Sequence, residues 1–145
     1  MSTVYLPDHS ADVCTNGNDN GPRCQTNRET APWLALDYGS EVKVSRVVLI
    51  NRVDCCGDRT RNVNIRVSST PPVSGSEMFT GGQLLGTFEG PATNGQRIEV
   101  TGGTELAGRY VVVQMDFISG ADFFNLQEVT AWSKGRIFAV SRYSF

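Results

Sequence analysis

The fold is indicated most clearly by the stretch Val42-Lys43-Val44-Ser45-Arg46-Val47-Val48-Leu49-Ile50. It begins with alternating apolar and polar residues, which is typical of a strand with one buried face. Toward its end it becomes continuously apolar, as a strand does when both of its faces are buried. The stretch therefore predicts the most buried strand of a β-sheet.

Six further segments carry strand signals, and Gly, Pro, Asn or Ser residues bound them. They span residues 33–38, 62–67, 84–88, 96–100, 109–115 and 126–132. The pairs Gly81-Gly82 and Gly102-Gly103 predict turns between them, and helical periodicity is nearly absent. The pattern predicts one all-β domain over residues 1–145, a two-sheet antiparallel β-sandwich or jelly roll of about eight strands.

Length and charge exclude several function classes. The formal charge of −2 gives no electrostatic reason to expect nucleic acid or an anionic membrane as a partner. No apolar run approaches the roughly 20 residues that span a bilayer, so we expect no membrane insertion. The first residues also lack the basic and apolar regions of a signal peptide. Basic residues cluster at Arg52, Arg59, Arg61 and Arg66, which allows a small anionic or polyhydroxyl ligand.

The sequence offers little for catalysis. His9 is the only histidine, and it lies in a polar N-terminal loop without a nucleophile motif nearby. The acidic residues are scattered in loops, and no phosphate-binding glycine loop is present. We therefore expect a binding protein and not an enzyme.

Four cysteines allow three disulfide pairings. Cys14 and Cys24 bracket a turn-rich loop that a disulfide would staple, and Cys55 and Cys56 are adjacent. Two free thiols or metal ligands are the alternatives for the adjacent pair, although a single histidine makes zinc an unsuitable metal. We favour the pairs Cys14–Cys24 and Cys55–Cys56. Such pairing indicates an oxidising compartment and a secreted or extracellular protein.

The most informative segment is Asn51-Arg52-Val53-Asp54-Cys55-Cys56-Gly57-Asp58-Arg59, directly after the apolar strand. Two converging guanidinium groups can grip the ring oxygen and hydroxyls of a sugar, because arginine offers five fixed donors. Asp54 would hold these groups by charge-assisted hydrogen bonds. A Cys55–Cys56 disulfide would offer a rigid apolar plate. The alternative is a surface loop with an Arg–Asp salt bridge and no ligand.

The segment 52–59 resembles the signature of the F-type lectins, or fucolectins, of the discoidin and galactose-binding-like sandwich superfamily. Three strands extend the resemblance in the same order along the chain: Ala31-Pro32-Trp33-Leu34-Ala35-Leu36-Asp37, Gly108-Arg109-Tyr110-Val111-Val112 and Leu126-Gln127-Glu128-Val129. The resemblance implies a lectin in which Arg52 and Arg59 bind terminal L-fucose and the Cys55–Cys56 disulfide packs against it. Fucosylated glycans or glycoproteins are the implied partners.

The resemblance also implies a structural calcium ion, Ca2+, held mainly by loop carbonyls. The implied ligands are the carbonyls of Val13, Asn16, Asn18 and Arg23, the Asn16 side-chain oxygen and the Glu128 carboxylate. Calcium prefers six to eight hard oxygen ligands, which suits this set. Asn16 stands where the family has an aspartate, so the site has one negative charge fewer.

The sequence departs from the family around the ligand. The family's ligand-binding histidine is replaced, and Gln25, Thr26 and Asn27 are the candidates for its hydrogen bond. The family's aromatic loop is shortened, so Tyr5, Leu6 or His9 is expected to form the apolar wall. The family's cysteine before Glu128 is Gln127 here, and Cys14 is the expected replacement as partner of Cys24.

The chain termini depart from the family as well. The family's first strand is missing from the N-terminus, and a similar segment stands at residues 136–145. We expect a domain that is circularly permuted or strand-shifted, with this segment completing the sandwich. Alternatively, the last strand exchanges with a neighbour and builds a homo-oligomer.

Two other functions are compatible with the sequence. A discoidin-type adhesion module would bind protein or lipid surfaces through exposed apolar residues on loops at one end of the sandwich. Candidates are Phe117, Ile118, Phe123 and Phe124, although the core is the location we expect for them. An accessory domain of a larger glycosidase or toxin would use the same local chemistry as a lectin. A single sugar site is weak, so a lectin would need an oligomer or tandem array for avidity.

Overall fold

The computed structural model describes residues 1–73, 75, 77–116, 120–134 and 136–137. Seven strands lie in this part of the chain: β1 (Cys24–Gln25), β2 (Trp33–Asn51), β3 (Val63–Ser68), β4 (Gln83–Phe88), β5 (Arg97–Met115), β6 (Asn125–Ser133) and β7 (Arg136–Ile137). Short 3₁₀ helices span Pro7–His9, Ala11–Cys14 and Gly57–Arg59. The predicted all-β fold is confirmed.

Two long, bent strands build the sandwich. All described strand pairs are antiparallel, in the order β1-β6-β2-β5-β3-β4, with β7 beside β6. The first half of β2 pairs with the second half of β5, which also pairs with β3. The second half of β2 pairs with the first half of β5 and with β6. Because β2 and β5 each take part in both halves, the sheet folds into two layers that share one core.

The sequence-based strand boundaries were wrong where these long strands bend. Residues 33–38 and 42–50, predicted as separate strands, join in β2 across a register shift between Asp37 and Val42. Residues 96–100 and 109–115 lie largely in β5, so the turn predicted at Gly102-Gly103 is absent. A Cβ on Gly102 would lie 2.6 Å from Leu85, so close packing within the sandwich explains this glycine.

The core follows the two-residue period of the strands. Val63, Ile65 and Val67 of β3 are buried as predicted, and Val111 and Val113 of β5 meet them from the neighbouring strand. The other face of β5 is also covered, because Tyr110 and Val112 pack with Trp33, Ala35 and Phe79 in a second, smaller cluster. Burial on both faces makes this part of the sheet a rigid base for the loops at its end.

The chain on either side of the sheet is partly tied to it. The Cys14–Cys24 disulfide is present, and Ser2 N–H donates to the Trp33 carbonyl at 2.9 Å.

Ile137 pairs with Trp132, but residues 138–145 lie outside the described part, so the permuted or shifted strand stays a prediction. Phe117 and Ile118 lie outside it as well. The helices in the described ranges are short 3₁₀ segments, and none of them could span a bilayer.

Candidate functional site

The side chain of Asn51, which is fully buried, organises the loop that follows β2. Its amide nitrogen donates to the carbonyl oxygens of Gly57 and Thr93, at 3.0 and 2.8 Å. Its oxygen accepts a hydrogen bond of 2.8 Å from the Thr60 hydroxyl. Because one buried amide satisfies three partners, Asn51 fixes loop 52–60 to the strand and to loop 91–96.

Gly57 lies where these two loops touch. A Cβ at this position would lie 2.5 Å from the backbone of Thr93 and Asn94, so a larger residue does not fit without a backbone shift. Its N–H donates to Asn94 Oδ1 at 2.8 Å. The preceding Cys56 has a left-handed backbone with φ of 59° and is bonded to Cys55 in the vicinal disulfide. The close contact with loop 91–96 therefore explains why a glycine follows the two cysteines in this loop.

Arg52 and Asp54 form a bidentate ion pair, with distances of 2.6 Å from Nε to Oδ1 and 2.9 Å from Nη2 to Oδ2. Arg52 is 9% exposed, whereas the Asp54 side chain is 57% exposed. The hydrogen bonds from Arg52 hold the pKa of Asp54 well below its usual range, so the carboxylate stays charged at neutral pH. Arg23 lies 4.0 Å from Asp54 and donates to Gln25 Oε1 at 3.2 Å.

A row of three aromatic rings extends from Arg59 to His9. The guanidinium of Arg59 lies 5.1 Å from the ring centre of Phe123. Phe123 meets Tyr5 edge-on at 5.5 Å, and Tyr5 stacks with His9 at 6.0 Å. His9 in turn lies within the electrostatic influence of Arg52. The structure thus brings His9, Arg52 and Arg59, all singled out from the sequence, to one end of the sandwich.

The protonation of His9 follows from its surroundings. Burial lowers the pKa of His9 from its ordinary value, and the positive charges of Arg23 and Arg52 lower it further, while Asp8 opposes the shift. The imidazole is therefore neutral at pH 7 and can both donate and accept a hydrogen bond.

The three candidates for the replaced histidine differ in placement. Thr26 is fully buried, and its hydroxyl donates to the Asn27 carbonyl and accepts the Phe124 N–H, at 2.8 and 3.0 Å. A ligand-binding role for Thr26 does not fit this burial, because the hydroxyl joins two backbone segments. Gln25 is buried beside Arg23. Asn27 is exposed, and its amide donates to the Val4 carbonyl at 3.4 Å.

Glu128 is a buried carboxylate at the turn-rich loop. It is 2% exposed, and its Oε2 accepts the N–H groups of Gly17 and Asn18 at 3.1 and 3.2 Å. Burial raises the pKa of Glu128. Among the described residues, no arginine or lysine forms an ion pair with it. A buried carboxylate without a cationic partner, beside a loop rich in carbonyls, fits a calcium ion.

The rest of the implied calcium ligand set is backbone carbonyls and the side-chain oxygen of Asn16. Asn16 Oδ1 accepts the Asn18 N–H at 2.9 Å, so this side chain also closes its own turn. The described residues contain no group of three or more His, Cys, Asp or Glu side chains that could hold a metal. A metal here would therefore depend on Glu128 together with the loop carbonyls and the Asn16 side-chain oxygen.

Sequence reasoning missed several residues of this end of the sandwich. Asp122 lies 3.7 Å from Arg59 although it follows Arg59 by some sixty positions in the chain. Phe123, which the sequence suggested only for an adhesion surface, lies under the same guanidinium. The Arg23 side chain faces Asp54, whereas only its carbonyl had been singled out. No local signal identifies such contacts, because they arise from tertiary packing. Asn51 had no assigned role either.

Comparison with known proteins identifies the family. The model of the NedA-like, galactose-binding domain matches residues 14–113 of the chain. The chain belongs to this family. Fucolectin-6 of Anguilla japonica is 25% identical to this galactose-binding-like domain over 125 residues, which make up 83% of the chain and 61% of that protein. Pentraxin fusion protein of Xenopus laevis is 30% identical over 93 residues, 64% of the chain and 21% of that protein.

Solved structures agree with this assignment. A fucolectin from striped bass (Morone saxatilis) serum is 25% identical, with a TM-score of 0.78 over 90% of the chain and 44% of that structure. The lectin domain of lectinolysin complexed with Lewis B antigen has a TM-score of 0.70 at 23% identity, over 90% of the chain and 88% of that domain. The jelly-roll sandwich and the resemblance to F-type lectins are confirmed. The domain spans less than two thirds of either curated relative.

Proposed function

We propose that this domain is a lectin that binds terminal L-fucose, or a related sugar with the same hydroxyl arrangement, through Arg52, Arg59 and the Cys55–Cys56 disulfide. The observation that carries the proposal is the buried Arg52 guanidinium. Asp54 takes one N–H from Nε and one from Nη2, and Arg52 makes no other side-chain hydrogen bond to the described residues. An arginine has five N–H groups, and buried donors need acceptors, so a ligand oxygen suits the remaining ones.

The surroundings of Arg52 supply the other parts of a sugar site. The Asp54 carboxylate is half exposed and charged, so it can accept a hydrogen bond from a sugar hydroxyl. The disulfide and the Tyr5 ring offer apolar surface for the C–H face of a sugar, since Tyr5 is exposed and the disulfide is half-buried. A donor pair, an acceptor and an apolar face are what a monosaccharide site requires.

The names of similar proteins support the sugar class. Two of them are fucolectins, and one of these covers 83% of the chain. The family description names galactose, so galactose is the sugar to compare with fucose. We propose binding and not catalysis, because the site combines fixed donors with an apolar face.

Calorimetric titration with L-fucose and with galactose tests the proposal. The matched variants are Arg52→Ala and Arg109→Ala, because Arg109 forms an ion pair of the same bidentate geometry with Asp37, at 2.6 and 2.8 Å. We expect Arg52→Ala to lose about 30-fold or more in affinity, equivalent to about 2 kcal/mol, and Arg109→Ala to bind as the parent does.

Three results would count against a lectin that uses Arg52. A folded Arg52→Ala variant that binds fucose like the parent contradicts the assigned site. Equal losses in the two variants would indicate a general stability effect. Absence of heat with any sugar, together with binding to lipid vesicles or to a protein, favours the adhesion module.

We also propose that a structural calcium ion stabilises the loop beside Glu128. Calcium supplies positive charge that offsets the buried carboxylate and links the loop carbonyls. We expect calcium to raise the unfolding temperature over EDTA by about 5–10 °C, and Glu128→Gln to remove this rise. Glu99→Gln, at an exposed acid paired with arginines, is the control. Equal unfolding temperatures in calcium and EDTA would rule out the ion.

The place of action and the assembly are part of the same proposal. Two disulfides in the described part indicate a secreted protein, since reducing compartments do not maintain them.

A single shallow sugar site is weak, so we propose that avidity comes from an oligomer or tandem array. Sedimentation of the chain measures this directly, and a monomer at all concentrations would leave only the tandem array.

A further inference from the structure

A cleft of about 450 Å³ lies directly beside the candidate sugar site. Its lining residues are Arg28, Arg59, Arg61, Gly120, Ala121, Asp122 and Phe123. Arg59 and Phe123 belong to both places, because the Phe123 ring lies under the Arg59 guanidinium and touches Tyr5 of the aromatic row. A ligand that extends beyond a terminal sugar on Arg59 would therefore enter this cleft.

The charge of the cleft is unbalanced. Three guanidinium groups line it against the single carboxylate of Asp122. Asp122 lies 3.7 Å from Arg59 and accepts a hydrogen bond of 3.1 Å from Arg61. The nearby acid Glu29 is buried and accepts a hydrogen bond from the Thr3 hydroxyl. Positive charge thus exceeds negative charge among the lining residues that the structure describes.

Arg28 is held in place by the backbone across the cleft. Arg28 Nε donates to the Ala121 carbonyl at 2.7 Å, and this is its one side-chain hydrogen bond to the described residues. The segment that carries Asp122 is paired with Glu29 in an antiparallel bridge with backbone hydrogen bonds of 2.9 and 3.0 Å. Because Arg28 has five N–H groups and uses one, the others can bind an anionic oxygen without a large loss of conformational freedom.

We infer that the cleft binds an anionic group, a sulfate ester or a carboxylate, on the part of the glycan next to the terminal sugar. The inference rests on the proposed sugar site, because Arg59 is common to both. It explains why basic residues cluster here in a domain with a formal charge of −2. The cleft differs from the basic cluster seen in the sequence, because Arg28 lines it and Arg66 does not. Arg66, on β3, donates to the Thr80 carbonyl at 3.4 Å.

The test compares three oligosaccharides that share the same terminal fucose. One is neutral, one carries a sulfate ester on the neighbouring sugar, and one carries a sialic acid. We expect at least one anionic form to bind about tenfold tighter than the neutral form at low salt. The advantage should shrink to about threefold or less at roughly 0.5 M salt, where charges are screened.

Two variants locate the effect. Arg28→Gln should lower the affinity for the anionic form to within about twofold of the neutral form, while leaving the neutral form unchanged. Lys43→Gln is the matched control, because it removes one positive charge from an exposed residue on the middle of β2, far along the strand from the loop. It should leave the anionic preference intact.

The outcomes separate the inference from the proposed function. If the neutral glycan binds and neither anionic form binds tighter, the cleft inference is wrong and the lectin proposal stands. If an anionic form binds, needs Arg28, and the neutral form does not bind, the cleft binds an anion by itself, and both the fucose site and the link to a terminal sugar are wrong. The cleft is not the origin of the preference for the anionic glycan if that preference survives Arg28→Gln. The same holds if Lys43→Gln reduces the preference as much as Arg28→Gln does.

Discussion

Replacing Asn51 with alanine removes three buried hydrogen bonds at once. The carbonyls of Gly57 and Thr93 lose their donor, and the Thr60 hydroxyl loses its acceptor. At about 1 kcal/mol of net stability for each bond, the free energy of unfolding should fall by about 3 kcal/mol. That is a large share of the roughly 5–15 kcal/mol by which such domains are stable.

The same change should weaken sugar binding, although Asn51 is fully buried and cannot reach a ligand itself. Asn51 fixes the loop that carries Arg52 and Arg59, so its loss lets both guanidinium groups move. We expect fucose affinity to fall by about tenfold, which corresponds to about 1.4 kcal/mol of lost preorganisation.

A graded series in urea unfolding tests this reasoning. Thr60→Val removes one of the three bonds and should cost about 1 kcal/mol, against about 3 kcal/mol for Asn51→Ala. Asn64→Ala is the control, because the half-buried Asn64 amide makes no side-chain hydrogen bond to the described residues, and it should change stability by less than about 0.5 kcal/mol. An Asn51→Ala variant as stable as the Asn64→Ala variant would refute the role of Asn51 in the loop.

Three further predictions concern the same end of the sandwich. The pKa of His9 is lowered, so folding disfavours the protonated imidazole. The contribution of His9 to stability is therefore lost as pH falls through the ordinary pKa of 6.5, and it does not change at higher pH. Proton NMR of the single histidine should give a midpoint below 6.5, and a midpoint at or above 6.5 contradicts the burial of the ring. Replacing Cys14 and Cys24 by serine opens a loop with a separation of 10 residues, and the free energy of unfolding in urea should fall by about 2–3 kcal/mol while fucose affinity is kept. The same change at Cys55 and Cys56 should reduce fucose affinity with little loss of stability. The reverse pattern would reject both roles. Gly57→Ala places a Cβ 2.5 Å from the backbone of loop 91–96 and should destabilise the domain by about 2 kcal/mol, and unchanged stability would show that the two loops separate easily.

Local sequence patterns predicted those parts of the fold that depend on local chemistry. The alternation in residues 62–67 and the apolar run of 42–50 both correspond to buried strand positions. The bends of β2 and β5 could not be predicted in this way, because a glycine inside a bent strand and a glycine in a turn look alike in sequence. Gly102 is an example: it lies inside a strand, and a glycine is required there because Leu85 packs closely against it.

In the candidate site, too, contacts between residues close in sequence could be predicted, and contacts that depend on the folded sandwich could not. Arg52 and Asp54 are two positions apart, so their ion pair followed from a contiguous motif. Arg59 depends on Asp122 and Phe123, which only the folding of the sandwich brings near it. Thr26 was one of three candidates for the hydrogen bond of the replaced histidine, and the contacts of its hydroxyl with Asn27 and Phe124 could not be predicted from sequence because they too depend on the folded sandwich.

The central claim is that Arg52 and Arg59 together bind the sugar, and the NMR signals of the arginine Nε–H groups measure this most directly. Titration with L-fucose should shift the Arg52 and Arg59 signals saturably, with the dissociation constant found by calorimetry. Arg109, in its ion pair with Asp37 on the sheet, should not shift. Saturable fucose binding that leaves the Arg52 and Arg59 signals unchanged would contradict the account.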